Sequence, residues 1–189
     1  LSISLFIGFY FGEDSAGSGG HIADFHNTWQ LVLVFRKNFF IDFTQWVIVF
    51  PLHYFILSLI QSVAQDKYVL RFLFCITSLI IPYLFYICFK NKFEKENINK
   101  LYFFSLMIFL LPSFRSGAIW ANSQITALIF FLISLIFFTN WIKIKNTNNL
   151  DFNIFFQILF MSLAVYTRQL YALVFLYFVF FYYKKLKLK

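Results

Sequence analysis

Four groups of polar side chains stand out in a sequence otherwise dominated by Phe, Ile and Leu. The first is Glu13 and Asp14, in the run FGEDSAGSGG. Adjacent carboxylates followed by small residues form a flexible polar turn, and a carboxylate partly desolvated beside lipid becomes a better base. The plainer alternative is a solvated turn whose acids mark a helix end. The second group is His21, Asp24 and His26, directly after the glycines. Glycines ahead of a helix start leave free amides and the positive end of the dipole for an anion such as phosphate. The same residues offer ligands to a divalent metal, but two histidines five positions apart do not share a face of a regular helix. They therefore read as polar lining of a substrate pocket, with no metal and no cofactor expected.

The third group is Arg71, Arg115 and Arg168, the last followed by Gln169. Guanidinium grips phosphate through paired N–H donors, while an arginine that merely snorkels to lipid headgroups is the bland reading. For Arg168 the functional reading is preferred. The fourth is Trp120, Asn122, Ser123 and Gln124, hydrogen-bonding groups beside an aromatic face. Such a pairing suits a sugar, although interfacial tryptophans also anchor helices. His53, within WVIVFPLHYFILSLIQS, is counted with the pocket residues.

These side chains need elements to hold them, and the composition says which. Of 189 residues 61% are hydrophobic and 13% charged, with mean hydropathy +0.74. Soluble domains carry about 25% charged residues, so a water-soluble globular domain and a disordered chain are both excluded. Cys75 and Cys88 lie in one apolar stretch, which argues against a disulfide framework. The net charge of +8 could suggest nucleic acid. However, the basic residues cluster in short segments between apolar stretches, the pattern of membrane orientation. The expected fold is all-α, a polytopic transmembrane bundle. It is expected as one partial domain over 1–189, with the end of a first helix at 1–11, an external loop at 12–68 and a helical bundle at 69–189.

Lys90 to Lys100, Ile142 to Asn153 and the lysine tail hold ten of the sixteen Lys and Arg residues, and the positive-inside rule puts all three on the cytoplasmic side. Val69 to Phe89 then runs inward, Leu101 to Leu111 outward and Ala118 to Trp141 inward, with Pro112 to Gly117 a short external loop. The final apolar stretch, Ile154 to Tyr183, carries Thr167, Arg168 and Gln169 at its middle. A single span would bury the guanidinium at a cost of roughly 3 kcal/mol. Two short helices with Arg168 at their outer turn avoid this. Gly12 to Tyr68 becomes one long external loop, with five of the eight acidic residues and all three histidines. Its apolar part, 46–62, is expected as an amphipathic or re-entrant helix at the outer leaflet, a full span being the alternative.

An apolar first helix ending in acids, a long external loop, the segment FPLHYF (similar to a PPLYY-type pattern), an arginine opening the next helix and short helix pairs thereafter resemble the GT-C superfamily of integral-membrane glycosyltransferases. That group includes protein O-mannosyltransferases, bacterial lipid A aminoarabinose transferases and the α-1,2-glucosyltransferase of dolichol-linked oligosaccharide assembly. The segment YTRQLYALVF is similar to the RQ-containing segment of the glucosyltransferase branch. The resemblance implies a polyprenyl-phosphate-linked sugar as donor, a lipid, glycan or protein hydroxyl as acceptor, and no nucleic acid. It further implies Asp14 or Glu13 at the catalytic base and Arg168 with Gln169 toward the donor. Where many members have an aspartate at the external start of the fourth helix, this chain has Ala121-Asn122-Ser123-Gln124.

The function expected is sugar transfer at the external face, in a multi-pass protein of a bacterial inner membrane with its active face to the periplasm. The sequence also reads as an N-terminal fragment of such an enzyme. A non-catalytic transporter, flippase or accessory subunit for a phosphate-bearing lipid is the alternative. It should place polar groups at mid-membrane on several helices, whereas Val69 to Phe89 and Ala118 to Trp141 offer only Thr77, Ser78 and Ser134 there.

Overall fold

A computed structural model describes residues 1–15, 19–37, 52–143 and 152–186. The remainder, including Pro51 with the start of the 46–62 stretch, part of the glycine-rich run and the last three residues of the lysine tail, lies outside the described residues. The described chain is all-helical, without a strand among the described residues. Its helices are α1 (Ser2–Phe11), α2 (Gly20–Lys37), α3 (Leu52–Val63), α4 (Lys67–Ser78), α5 (Ile80–Lys92), α6 (Ile98–Leu106), α7 (Pro112–Ile119), α8 (Ser123–Lys143), α9 (Phe152–Thr167) and α10 (Tyr171–Leu186).

Two helical stretches are long and apolar enough to cross a membrane: Lys67–Lys92, 26 residues formed by α4 and α5, and α8, 21 residues. A third span results if α6, the 3₁₀ turn Met107–Leu110 and α7 count together, with a 68° bend between them. Within Lys67–Lys92 the break at Leu79 has a local cause. Pro82 has no N–H for the Ser78 carbonyl and its ring crowds that carbonyl. Thr77 and Ser78 turn their hydroxyls back to Phe74 O (2.7 Å) and Cys75 O (2.6 Å).

Helix directions follow from the contacts. Arg71 meets Ile119 near the start of α4, while Asn91 at the end of α5 donates to Asn140 Oδ1 (2.9 Å) near the end of α8. The stretch 67–92 and α8 therefore run parallel. α9 returns antiparallel to α8, stacking Phe156 on Phe137 and Phe160 on Phe130. Halfway along, Ser134 Oγ donates to Gln157 O (3.1 Å), and Tyr182 OH donates to Gln157 Oε1 (3.0 Å). These buried groups satisfy one another between three helices, so Ser134 serves packing.

The apolar stretch around Arg168 divides there into α9 and α10, the break expected at the guanidinium. Pro112 to Gly117, expected as a loop, is instead most of helix α7. Proline at its first position supplies a helical φ and loses no hydrogen bond. α1, α2 and α3 are not separate from the bundle. Leu5, Phe9, Phe25, Val32 and Leu57 share one buried cluster with Leu70, Ile119 and Leu132.

Candidate functional site

The site forms at the end of the bundle opposite Asn91 and Lys143, around the α7–α8 turn Trp120–Asn122. α1 ends at Gly12, whose left-handed backbone (φ 65°) stops the helix and lets Glu13 N–H bond to Gly8 O (2.9 Å). The Glu13 side chain then lies over Gly8, against Arg115 from α7. Arg115 donates through Nε to Glu13 Oε1 (2.8 Å) and through Nη2 to Oε2 (2.5 Å), a bidentate pair. Its remaining donors reach Ser4 Oγ (2.8 Å), Ser4 O (2.9 Å) and Phe109 O (3.5 Å). The guanidinium beside Glu13 holds its carboxyl below the ordinary value of 4.5. Arg115, expected to grip a phosphate, is instead locked to Glu13.

Asp14 takes a different role. Its Oδ2 accepts from Ile22 N–H (3.1 Å) in the first turn of α2, and its Oδ1 accepts from Ser116 Oγ (3.3 Å) and lies 3.1 Å from His21 Nδ1. The helix start that the glycines suggested as a phosphate site is thus occupied by the chain's own carboxylate, an anion the helix dipole favours equally. Ser116 Oγ is 3.0 Å from the same His21 nitrogen. Asp14 and His21 are mostly buried, with side-chain exposures of 8% and 16%.

Arg71 enters from α4. It is buried, donates Nε–H to Ile119 O (3.0 Å) and stacks over Trp120 at 3.5 Å from the ring centroid, with Phe9 and Phe25 on other sides. Its Nη2 is buried without a hydrogen-bond partner among the described residues. Trp120 is fixed in turn by its indole N–H, which donates to Glu13 O (2.9 Å). Ala121 follows with a positive φ of 49°, uncommon for a residue with a Cβ. Its carbonyl accepts from His53 Nε2–H (2.9 Å), whose Nδ1 accepts from Thr126 Oγ1 (2.9 Å). Burial pushes the His53 pKa down to about 4, and with both nitrogens used this histidine holds the turn. Asn122 completes it: Oδ1 caps α8 through Gln124 N–H (3.0 Å) and accepts from Arg168 Nη2 (3.1 Å). Arg168 Nε, like Arg71 Nη2, is buried without a partner among the described residues.

A groove of about 500 Å³ opens beside Arg168, lined by Phe85, Ile108, Leu111, Gln124, Tyr171 and Val174 among others. It is apolar along its length with a guanidinium at one edge, the form of site that takes an amphiphile. Among the residues expected at the site, Glu13, Asp14, His21, His53, Arg71, Arg115, Trp120, Asn122 and Arg168 form one connected cluster. Gln124 joins through its backbone and the groove. Asp24, His26 and Gln169 are exposed. Among the described residues no three His, Cys, Asp or Glu side chains gather as a metal set.

Sequence reasoning missed Ser4, Ser116 and Thr126. For Ser4 a signal existed: Ser4 and Gly8, one turn apart on an aromatic-rich helix, mark a face where another group approaches closely. No known protein-family model, curated protein or solved structure matches this chain.

Proposed function

We propose that this chain is the membrane-embedded module of a glycosyltransferase. It would move a sugar from a polyprenyl-phosphate carrier to a hydroxyl of a lipid, glycan or protein at the non-cytosolic face of a bacterial inner membrane. The observation that carries the reading is the convergence of Glu13 and Asp14 after α1, Arg71 of α4 and Arg168 between α9 and α10 on Trp120 and Asn122 of the α7–α8 turn and its flank. Two of the guanidinium groups keep a buried nitrogen without a partner among the described residues. An unpaired buried donor is costly, and a phosphate oxygen would satisfy it.

The chemistry asks for charge stabilisation on the departing phosphate and a base for the acceptor hydroxyl. Arg71 and Arg168 supply the first as preorganised donors, held by Ile119 O and Asn122 Oδ1. The second depends on Asp14 and the His21 ring beside it, because Glu13 is already paired with Arg115. The groove beside Arg168 suits the apolar carrier, and Trp120 braces the Arg71 guanidinium stacked on its ring.

Transfer of radiolabelled sugar from polyprenyl phosphate, in membranes carrying the protein, tests this. Asp14→Asn lowers turnover by about 100-fold or more, the usual contribution of a positioned acid or base. Unchanged turnover in Asp14→Asn combined with Glu13→Gln overturns the reading. Transport would require polar groups free along the helix interiors, and on α8 Thr126 is bound to His53 and Ser134 to Gln157.

A further inference from the structure

We propose that His21, oriented by Asp14, is the proton acceptor of this site, with Nε2 as the accepting atom. This rests on the transferase reading for the identity of the reaction, though the dyad itself does not.

The hydrogen-bond geometry leads to this tautomer. His21 Nδ1 lies 3.1 Å from Asp14 Oδ1 and 3.0 Å from Ser116 Oγ. If Nδ1 carried no hydrogen, its lone pair would face a carboxylate oxygen at that distance. With a hydrogen there, Nδ1–H donates to the acceptors beside it, and the Ser116 hydroxyl donates to Asp14 Oδ1 (3.3 Å). Every donor in the triangle is then placed. A neutral imidazole protonated at Nδ1 has its basic lone pair on Nε2. Nε2 of His21 has no hydrogen-bond partner among the described residues, and the ring is partly exposed. Serine and aspartate both address the same ring nitrogen, so this is not a nucleophile relay, which needs the hydroxyl on the opposite nitrogen. Ser116 and Asp14 both orient the ring, and Nε2 is left for a substrate.

In the transfer step the acceptor O–H bond breaks and its proton goes to Nε2. The oxygen's electron pair forms the bond to the anomeric carbon. The bond from that carbon to the carrier phosphate oxygen breaks, and its electron pair leaves with the phosphate. Asp14 stabilises the imidazolium, which afterwards gives its proton to water. Asp14 is a positioning residue in this account, and Asn in its place removes the charge that selects the tautomer.

The protein has three histidines, so ¹⁵N NMR of histidine-labelled protein is assignable by single His→Gln variants. The expected result is neutral His21 in the Nδ1–H form, with Asp14→Asn reverting it to the ordinary Nε2–H form. His53, which donates from Nε2, is Nε2–H in both. His21→Asn keeps a donor where Nδ1–H stands and should slow transfer by about 100-fold or more. Neutral His21 in the Nε2–H form in the unaltered protein overturns the proposal, as does full turnover in His21→Asn. The Nδ1–H form in a protein that transfers no sugar from polyprenyl phosphate removes the transferase reading while the dyad stands.

Discussion

The Glu13–Arg115 pair gives the sharpest energetic test. Arg115→Met removes the charge while keeping most of the side-chain volume. Two of the lost bonds run to a carboxylate and two to Ser4. Glu13 retains 32% side-chain exposure and Arg115 15%, so water screens the pair, and each carboxylate bond counts about 1 kcal/mol and each Ser4 bond about 0.5 kcal/mol. Arg115→Met should cost about 3 kcal/mol, Glu13→Gln about 2 kcal/mol, and the double variant about 3 kcal/mol, because the second change has little left to remove. The coupling is the sum of the single losses minus the double loss, about 2 kcal/mol. Reversible unfolding in mixed micelles, followed by circular dichroism, measures it. A coupling below about 0.5 kcal/mol would refute the claim that this pair holds α1 to α7. Because the pair depresses the Glu13 pKa, its contribution is complete above the ordinary 4.5 and is lost as pH falls through the depressed value. Glu13→Gln should flatten the pH dependence in that range.

Gly8→Ala places a methyl against the Glu13 carboxylate and 2.8 Å from Arg115 Nη2. Helix propensity alone would favour alanine by up to about 1 kcal/mol, so a measured loss of stability, partly relieved by Glu13→Gln, identifies the close approach as the cause. His53 is neutral in the fold down to a pKa of about 4 against an ordinary 6.5. The unfolded chain therefore takes up the proton first as pH falls from 6.5, and up to about 3 kcal/mol is lost by pH 4. His53→Gln should remove that part of the pH dependence in a thermal melt. Arg71→Lys loses the planar stack on Trp120 and should impair transfer nearly as much as Arg71→Leu, since an ammonium does not replace a stacked guanidinium; full activity in the lysine variant would contradict the assignment.

The parts of the fold legible in the sequence were those written in local composition. The length and apolarity of 69–89 and 118–141 gave the two long helices, and Arg168 inside an apolar stretch gave the α9–α10 break. What sequence could not show was which polar groups would choose one another. Arg115 pairs with Glu13 across 102 positions, and nothing local separates that choice from binding a phosphate. The glycines ahead of α2 correctly marked a helix start with an affinity for an anion, but the anion came from Asp14, eight residues before Ile22. Pro112 was read as a loop residue although proline is equally at home in the first turn of a helix. Ser116 carried no signal of its own, being one small residue among several in a short segment.

The central claim places the cluster around the α7–α8 turn on the opposite side of the membrane from the Asn91 and Lys143 end. With Cys75 and Cys88 replaced by alanine, single cysteines at the exposed positions Gln169 and Lys95 can be labelled by a membrane-impermeant maleimide in intact cells and in inverted vesicles. The account predicts labelling of position 169 only from the periplasmic side and of position 95 only from the cytosolic side. Labelling of both positions from one side would contradict it.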